Sequence, residues 1–168
     1  MSLGEYLTRP ETDRAEYVDG ALVVNPPASL RHQYAARRLG DILNTACPGE
    51  WIALEALGWL LAPGGPVRIP DVVVVEREPL RGDDLLLDHP PILAVEVLSP
   101  GEGPARKLAD YSAAGLQHYW TFAVRSGELT CYHATGGRFE MTATGSPGHA
   151  VDLTAPFEIR VDPTTLLP

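Results

Sequence analysis

The chain has 168 residues, 45% hydrophobic and 21% charged, which is the length and composition of one globular domain with a sizeable core. Thirteen basic against twenty-two acidic residues give a net charge of −9 and argue against a general nucleic-acid coat, though not against a local basic groove. Two widely spaced cysteines, Cys47 and Cys131, exclude a disulfide framework or a cysteine zinc site and read as buried thiols. The absence of a long apolar run leaves the cytoplasm as the expected compartment.

In chain order, Met1 to Pro10 reads as a short helical turn. Residues 15–24, AEYVDGALVV, read as two strands around Asp19-Gly20, a strong hairpin signal. A loop with two prolines follows. Residues 30–46 predict a helix capped by Ser29, with Ala35, Leu39, Ile42, Leu43 and Ala46 on one stripe.

Residues 51–61 and 67–76 each read as one strand, separated by Pro63-Gly64-Gly65-Pro66. The VVVV run in the second is β-branched and suits a strand covered on both faces. After a polar loop, 92–98 is the next strand. Residues 104–114 predict a helix with Pro104 at its first position and Gly115 past its end. Residues 116–124 form a further strand, and 129–134 with 138–143 a second hairpin around Gly136-Gly137. Residues 157–161 suggest an edge strand. The order predicts one α/β domain over 1–168, its core about 30–124, with helices on a mixed sheet and added terminal hairpins.

Glu96 stands inside ILAVEVL, where an unpartnered carboxylate costs several kcal/mol or takes up a proton. Strand alternation puts Ile92, Ala94, Glu96 and Leu98 on one face, and Asp71 with Val73 and Val75. If the two strands are neighbours, Asp71 and Glu96 converge at one end of the sheet. Their repulsion is relieved by a shared proton or by a cation, and oxygen ligands suit Mg²⁺ or Mn²⁺. The Val97 carbonyl, next to Ser99-Pro100, is a further candidate ligand.

Lys107 and Tyr111 fall on one stripe of the following helix. Lys107 is the single lysine among twelve arginines, which hints that an amine is wanted there. Glu55, in WIALEALGW, is another acid among apolar residues and a possible member of the site. His118, before Tyr119-Trp120, reads as structural.

Pro70-Asp71, then Glu96-Val97-Leu98-Ser99-Pro100, Lys107, Tyr111, Gly115, Tyr119 and Trp120 resemble the Uma-two family of restriction-endonuclease-like proteins, a branch of the PD-(D/E)XK nuclease fold. EYVDGALVVNPPASLRHQ resembles that family's N-terminal hairpin and helix start. The resemblance covers nearly the whole chain. It implies a restriction-endonuclease-like core and a divalent-metal phosphodiesterase acting on DNA. Asp71 and Glu96 match its metal-binding acids, Glu16 a further acid, and His32 a histidine opening the first core helix.

Two departures stand out. In the wider fold a lysine stands two residues after the glutamate; Leu98 is there, and Lys107 is the replacement. The loop 101–104 is shorter than usual and lacks an Asp.

Arg31, Arg37, Arg38 and Arg106 are candidates for a local DNA-binding patch. The net charge and the shortened loop favour an alternative, a catalytically inactive binding module on the same fold. Apolar edges on the terminal hairpins suggest a homodimer. Glycoside-type acid/base work is a weaker alternative, since no aromatic sugar platform is evident.

Overall fold

The computed structural model describes residues 1–10, 15–101 and 105–168, the side chains of Ala105 and Arg106 excepted. Pro104 as a helix start, most of the loop 101–104, and Arg106 as part of a basic patch therefore lie outside the described residues.

The chain begins with α1 (Leu3–Leu7), where Ser2 and Glu5 close a reciprocal capping box. The first hairpin is β1 (Ala15–Val18) and β2 (Ala21–Val24). Asp19 and Gly20 have φ of 50° and 79°, the left-handed pair that a two-residue hairpin turn requires. Helix α2 (Leu30–Ala46) starts where the Ser29 hydroxyl accepts the His32 N–H. Its Ala35, Leu39 and Leu43 are fully buried, as the stripe predicts.

Both long predicted strands are broken, and the breaks build the site. Residues 51–61 divide into β3 (Trp51–Glu55) and β4 (Trp59–Leu60). Ala56 takes a φ of 53°, and its N–H bonds the Asp71 carbonyl at 3.1 Å. Residues 67–76 divide into β5 (Val67–Arg68) and β6 (Val72–Glu76). Pro70 has no N–H to continue a ladder, and the Ile69 N–H is taken by a side chain, Glu16 Oε1 at 3.1 Å. The chain therefore leaves one sheet after Arg68 and enters another at Val72, with Asp71 at the corner.

The remaining elements are β7 (Leu93–Leu98), α3 (Ala105–Ala113), β8 (His118–Ala123), β9 (Glu128–Thr135), β10 (Arg138–Gly145), β11 (Val151–Leu153) and β12 (Ile159–Val161). A four-stranded sheet runs β2-β1-β5-β4, and a six-stranded sheet runs β10-β9-β8-β7-β6-β3. In the six-stranded sheet only β7 and β8 are parallel, joined through α3.

The valines of β6 are all buried, as a strand covered on both faces demands. Val72 and Val74 face α2, with Leu39, Leu43, Val95, Trp120 and Phe122. Val73 and Val75 face the α3 side, with Ala94, Tyr111, Leu116, Tyr119 and Trp59.

The strand expected over 157–161 is present but shorter. Only Ile159–Val161 is strand, and it pairs with β11 in a separate ribbon. Val151, Phe157, Ile159, Val161 and Leu166 instead complete the core over α2. Burying those apolar side chains at about 25 cal/mol per Å² outweighs the few exposed hydrogen bonds an edge strand offers. No helix among the described residues is long and apolar enough to cross a membrane.

Candidate active site

Strands β6 and β7 are neighbours: Val72 stands opposite Val95 and Val73 opposite Ala94. Asp71, just before β6, therefore reaches the end of β7. Its Oδ2 accepts the Val97 N–H at 2.7 Å. His32, from the first turn of α2, places Nε2 3.3 Å from the same oxygen.

Glu96 is on the opposite side of β7 from Val95 and Val97, under α3. Its Oε1 accepts from Lys107 Nζ at 2.9 Å and from the Tyr111 hydroxyl at 2.6 Å. The helix spacing predicted this stripe, and both residues reach the strand acid. Tyr111 is fully buried and is held by stacking on Trp59 and an edge contact with Tyr119.

Lys107 Nζ also lies 3.1 Å from Glu16 Oε1. Glu16 is buried on β1 and belongs to the four-stranded sheet, so the lysine bridges the two sheets. Beneath it lies Arg68, 3% exposed, whose Nη1 bonds Glu16 Oε2 at 2.9 Å. Its Nε donates to Asp110 Oδ2 at 3.1 Å and its Nη2 to the same oxygen. The hairpin, the corner and α3 are tied together by this chain of charges.

Burial pushes the Glu96 carboxyl up to about 7; Lys107 and Tyr111 oppose that shift, and the Asp71 charge adds to it. Burial acts to lower Lys107, but Glu96 and Glu16 outweigh it, so its ammonium is held above its ordinary value. Burial acts to raise Glu16, yet Lys107, the Ile69 N–H and Arg68 hold it below the usual carboxylate range. At neutral pH Lys107 is thus a fixed cation. That suits charge stabilisation.

A cleft of about 600 Å³ opens over this cluster. Glu16, His32, Asp71, Glu96, Val97 and Lys107 all line it, with Asn25–Ala28 as one wall and Leu98–Gly101 as the other. Four other candidates do not reach it. Glu55 lies on the α2 side, 3.5 Å from Arg37, because the bend at Ala56 ends β3 there. Arg37 is spent on Asp41 and Glu55. Arg38 points to the Thr165 carbonyl at 3.4 Å, and exposed Arg31 is also absent from the lining. Among the described residues no arginine lines the cleft.

Arg68 and Asp110 were missed. The signal was present, since Arg68 stands between Val67 and Ile69 in an apolar stretch, as Glu96 does in its own.

The donor set fits a hard divalent cation. Asp71 and Glu96 supply carboxylate oxygens. The Val97 carbonyl also lines the cleft's strand end, since a strand residue's N–H and C=O face the same edge and its N–H meets Asp71. Mg²⁺ typically takes one or two carboxylates and keeps waters. Among the described residues no three or more His, Cys, Asp and Glu side chains form a ready-made cage.

A mixed sheet with a parallel β7–α3–β8 unit, and acids at two adjoining strand ends, defines a restriction-endonuclease-like fold. The chain belongs to the Uma2 family, described as "Putative restriction endonuclease", whose model matches residues 3–164. The crystal structure of a "putative nuclease belonging to DUF820" from Anabaena variabilis ATCC 29413 superimposes with a TM-score of 0.77. The two are 17% identical, over 99% of this chain and 97% of that one. No curated protein matches the chain.

Proposed function

We propose that the protein is a metal-dependent endonuclease that hydrolyses DNA phosphodiester bonds at the cleft over Asp71, Glu96 and Lys107. The carrying observation is that an acid just before β6, an acid within β7 and a half-buried ammonium line one cleft, with Lys107 2.9 Å from Glu96.

Asp71, Glu96 and the Val97 carbonyl would hold Mg²⁺ or Mn²⁺. Such an ion supplies positive charge to the phosphodiester and makes water more acidic. The Val97 N–H and His32 fix the Asp71 carboxylate from two directions. Tyr111 and Lys107 fix Glu96, and their donated hydrogen bonds favour its ionised form against the cost of burial. Lys107, anchored by Glu16, presents a cation in the cleft where charge develops on the phosphoryl oxygens. Glu16, with Arg68 behind it, keeps that cation in place.

The test is cleavage of plasmid DNA by purified protein in Mg²⁺ or Mn²⁺, with Glu96→Ala alongside. Cleavage that requires Glu96 supports the reading; equal cleavage by the alanine variant assigns the activity elsewhere.

A second reading is favoured by one observation. The cleft holds Glu16, Asp71 and Glu96 against a single lysine, and no arginine among the described residues lines it. A non-catalytic binding module on the same fold would look like this. It is distinguished by calorimetry: no binding of Mn²⁺ at millimolar concentration supports it.

A further inference from the structure

The six-stranded sheet carries a row of metal-ligating residue types that the cleft does not use, and as they stand the three do not converge on one point. His118 on β8 stands opposite His133 on β9, and His133 stands opposite Glu140 on β10. Directly opposed residues of antiparallel strands project to the same face, so these three form one row across three strands. By alternation the row shares its face with Trp120 and Cys131, which pack toward α2. Glu96 shares the other face with Ala94 and Tyr119. The row therefore lies on the opposite side of the sheet from the cleft.

The two imidazoles are close, with ring centroids 4.8 Å apart and planes tilted by 36°. His133 Nδ1 is buried and, among the described residues, has no hydrogen-bond partner. Leaving a buried ring nitrogen unpaired costs about 1–3 kcal/mol, so the position wants a donor or a cation. Neutral imidazole is the ligating form.

The spacing suits shared coordination. A Zn–N bond of about 2.0–2.1 Å puts each ring centroid roughly 3.2 Å from the ion, and two such rings at a near-tetrahedral angle about 5 Å apart. Glu140 is exposed, so its side chain can swing toward the pair at little cost. It is the one acid in register with them.

We propose that His118 and His133, with Glu140 swung in as a third ligand, bind a divalent transition cation of the Zn²⁺ class and tie β8, β9 and β10 together. Imidazole selects Zn²⁺, Cu²⁺ and Ni²⁺, whereas carboxylate and carbonyl oxygens select Mg²⁺ and Mn²⁺. The site is thus chemically separate from the cleft, and it stands whether or not the cleft cleaves DNA.

The test is calorimetric titration of the full chain carrying Asp71→Asn with ZnCl₂ at pH 7.5. One equivalent should bind, and His133→Ala or His118→Ala in that background should weaken binding by roughly 10- to 100-fold or more, since removing even a ligand's supporting partner has that effect. Zn²⁺ bound equally well by parent and histidine variants overturns the proposal, as does no binding by the parent. Should the histidine variants fail to fold, the electron paramagnetic resonance spectrum of the parent with one Cu²⁺ decides. Hyperfine coupling to two nitrogens supports the site, and an all-oxygen spectrum overturns it.

Discussion

Replacing Glu96 with glutamine should make the metal-free protein more resistant to unfolding, and more so as pH rises. The folded carboxyl titrates at about 7, against an ordinary value of 4.5, chiefly because it is buried. The fold therefore binds this proton more tightly than the unfolded chain does. The stability contributed by the neutral carboxyl is fully present below about pH 4.5 and is lost as pH rises through about 7. Between pH 5 and pH 8 the loss amounts to about 2–3 kcal/mol. Glutamine, neutral and of the same shape, does not undergo it.

The difference in melting temperature between Glu96→Gln and the parent should widen by roughly 5–10 °C over that range. Titrations of groups that do not interact with Glu96 are shared by both proteins and cancel. His118, for example, is held low and acts in the opposite direction, destabilising the fold as pH falls. Differential scanning calorimetry in chelator, at pH 5, 6, 7 and 8, measures the quantity directly. Adding Mn²⁺ at pH 8 should reverse the order, stabilising the parent alone. A melting difference that stays flat with pH would mean that Glu96 ionises as freely in the fold as in the unfolded chain, its burial without effect on its proton.

Lys107→Met removes the fixed cation and should lower turnover by about 10²- to 10³-fold, the usual loss for one charge-stabilising donor; single-turnover cleavage at saturating metal checks it, and an undiminished rate would remove Lys107 from the chemistry. Tyr111→Phe keeps the ring packed but deletes the 2.6 Å bond to Glu96. With about 1.5 kcal/mol of charge-assisted bonding lost, Mn²⁺ should bind roughly tenfold more weakly at pH 6.5. The gap should shrink by pH 9, where both carboxyls are ionised; calorimetry at the two pH values would expose an unchanged affinity. Arg68→Met leaves Glu16 buried without its guanidinium and should cost about 3 kcal/mol or more. A urea midpoint equal to that of the parent would show that the buried chain of charges contributes nothing to stability.

Much of this protein is legible along the chain. Glu96 among apolar neighbours, the VVVV run, the Asp19-Gly20 turn and the Lys107–Tyr111 stripe are local signals, governed by strand and helix periodicity and by what a buried carboxylate costs. Strand alternation also predicts that Asp71 and Glu96 converge at one end of the sheet if their strands are neighbours, and both line the cleft. The tertiary structure decided the rest. Where residues 51–61 and 67–76 break depends on Glu16 taking the Ile69 N–H and on Asp71 receiving the Ala56 N–H, contacts between segments distant in sequence. That Glu55 and the α2 arginines turn away from the cleft follows from those bends. Arg68 and Asp110 carry chemistry-bearing side chains in plain view of the sequence. Which charge neutralises which is a property of three-dimensional proximity, and no spacing along a single strand or helix encodes it.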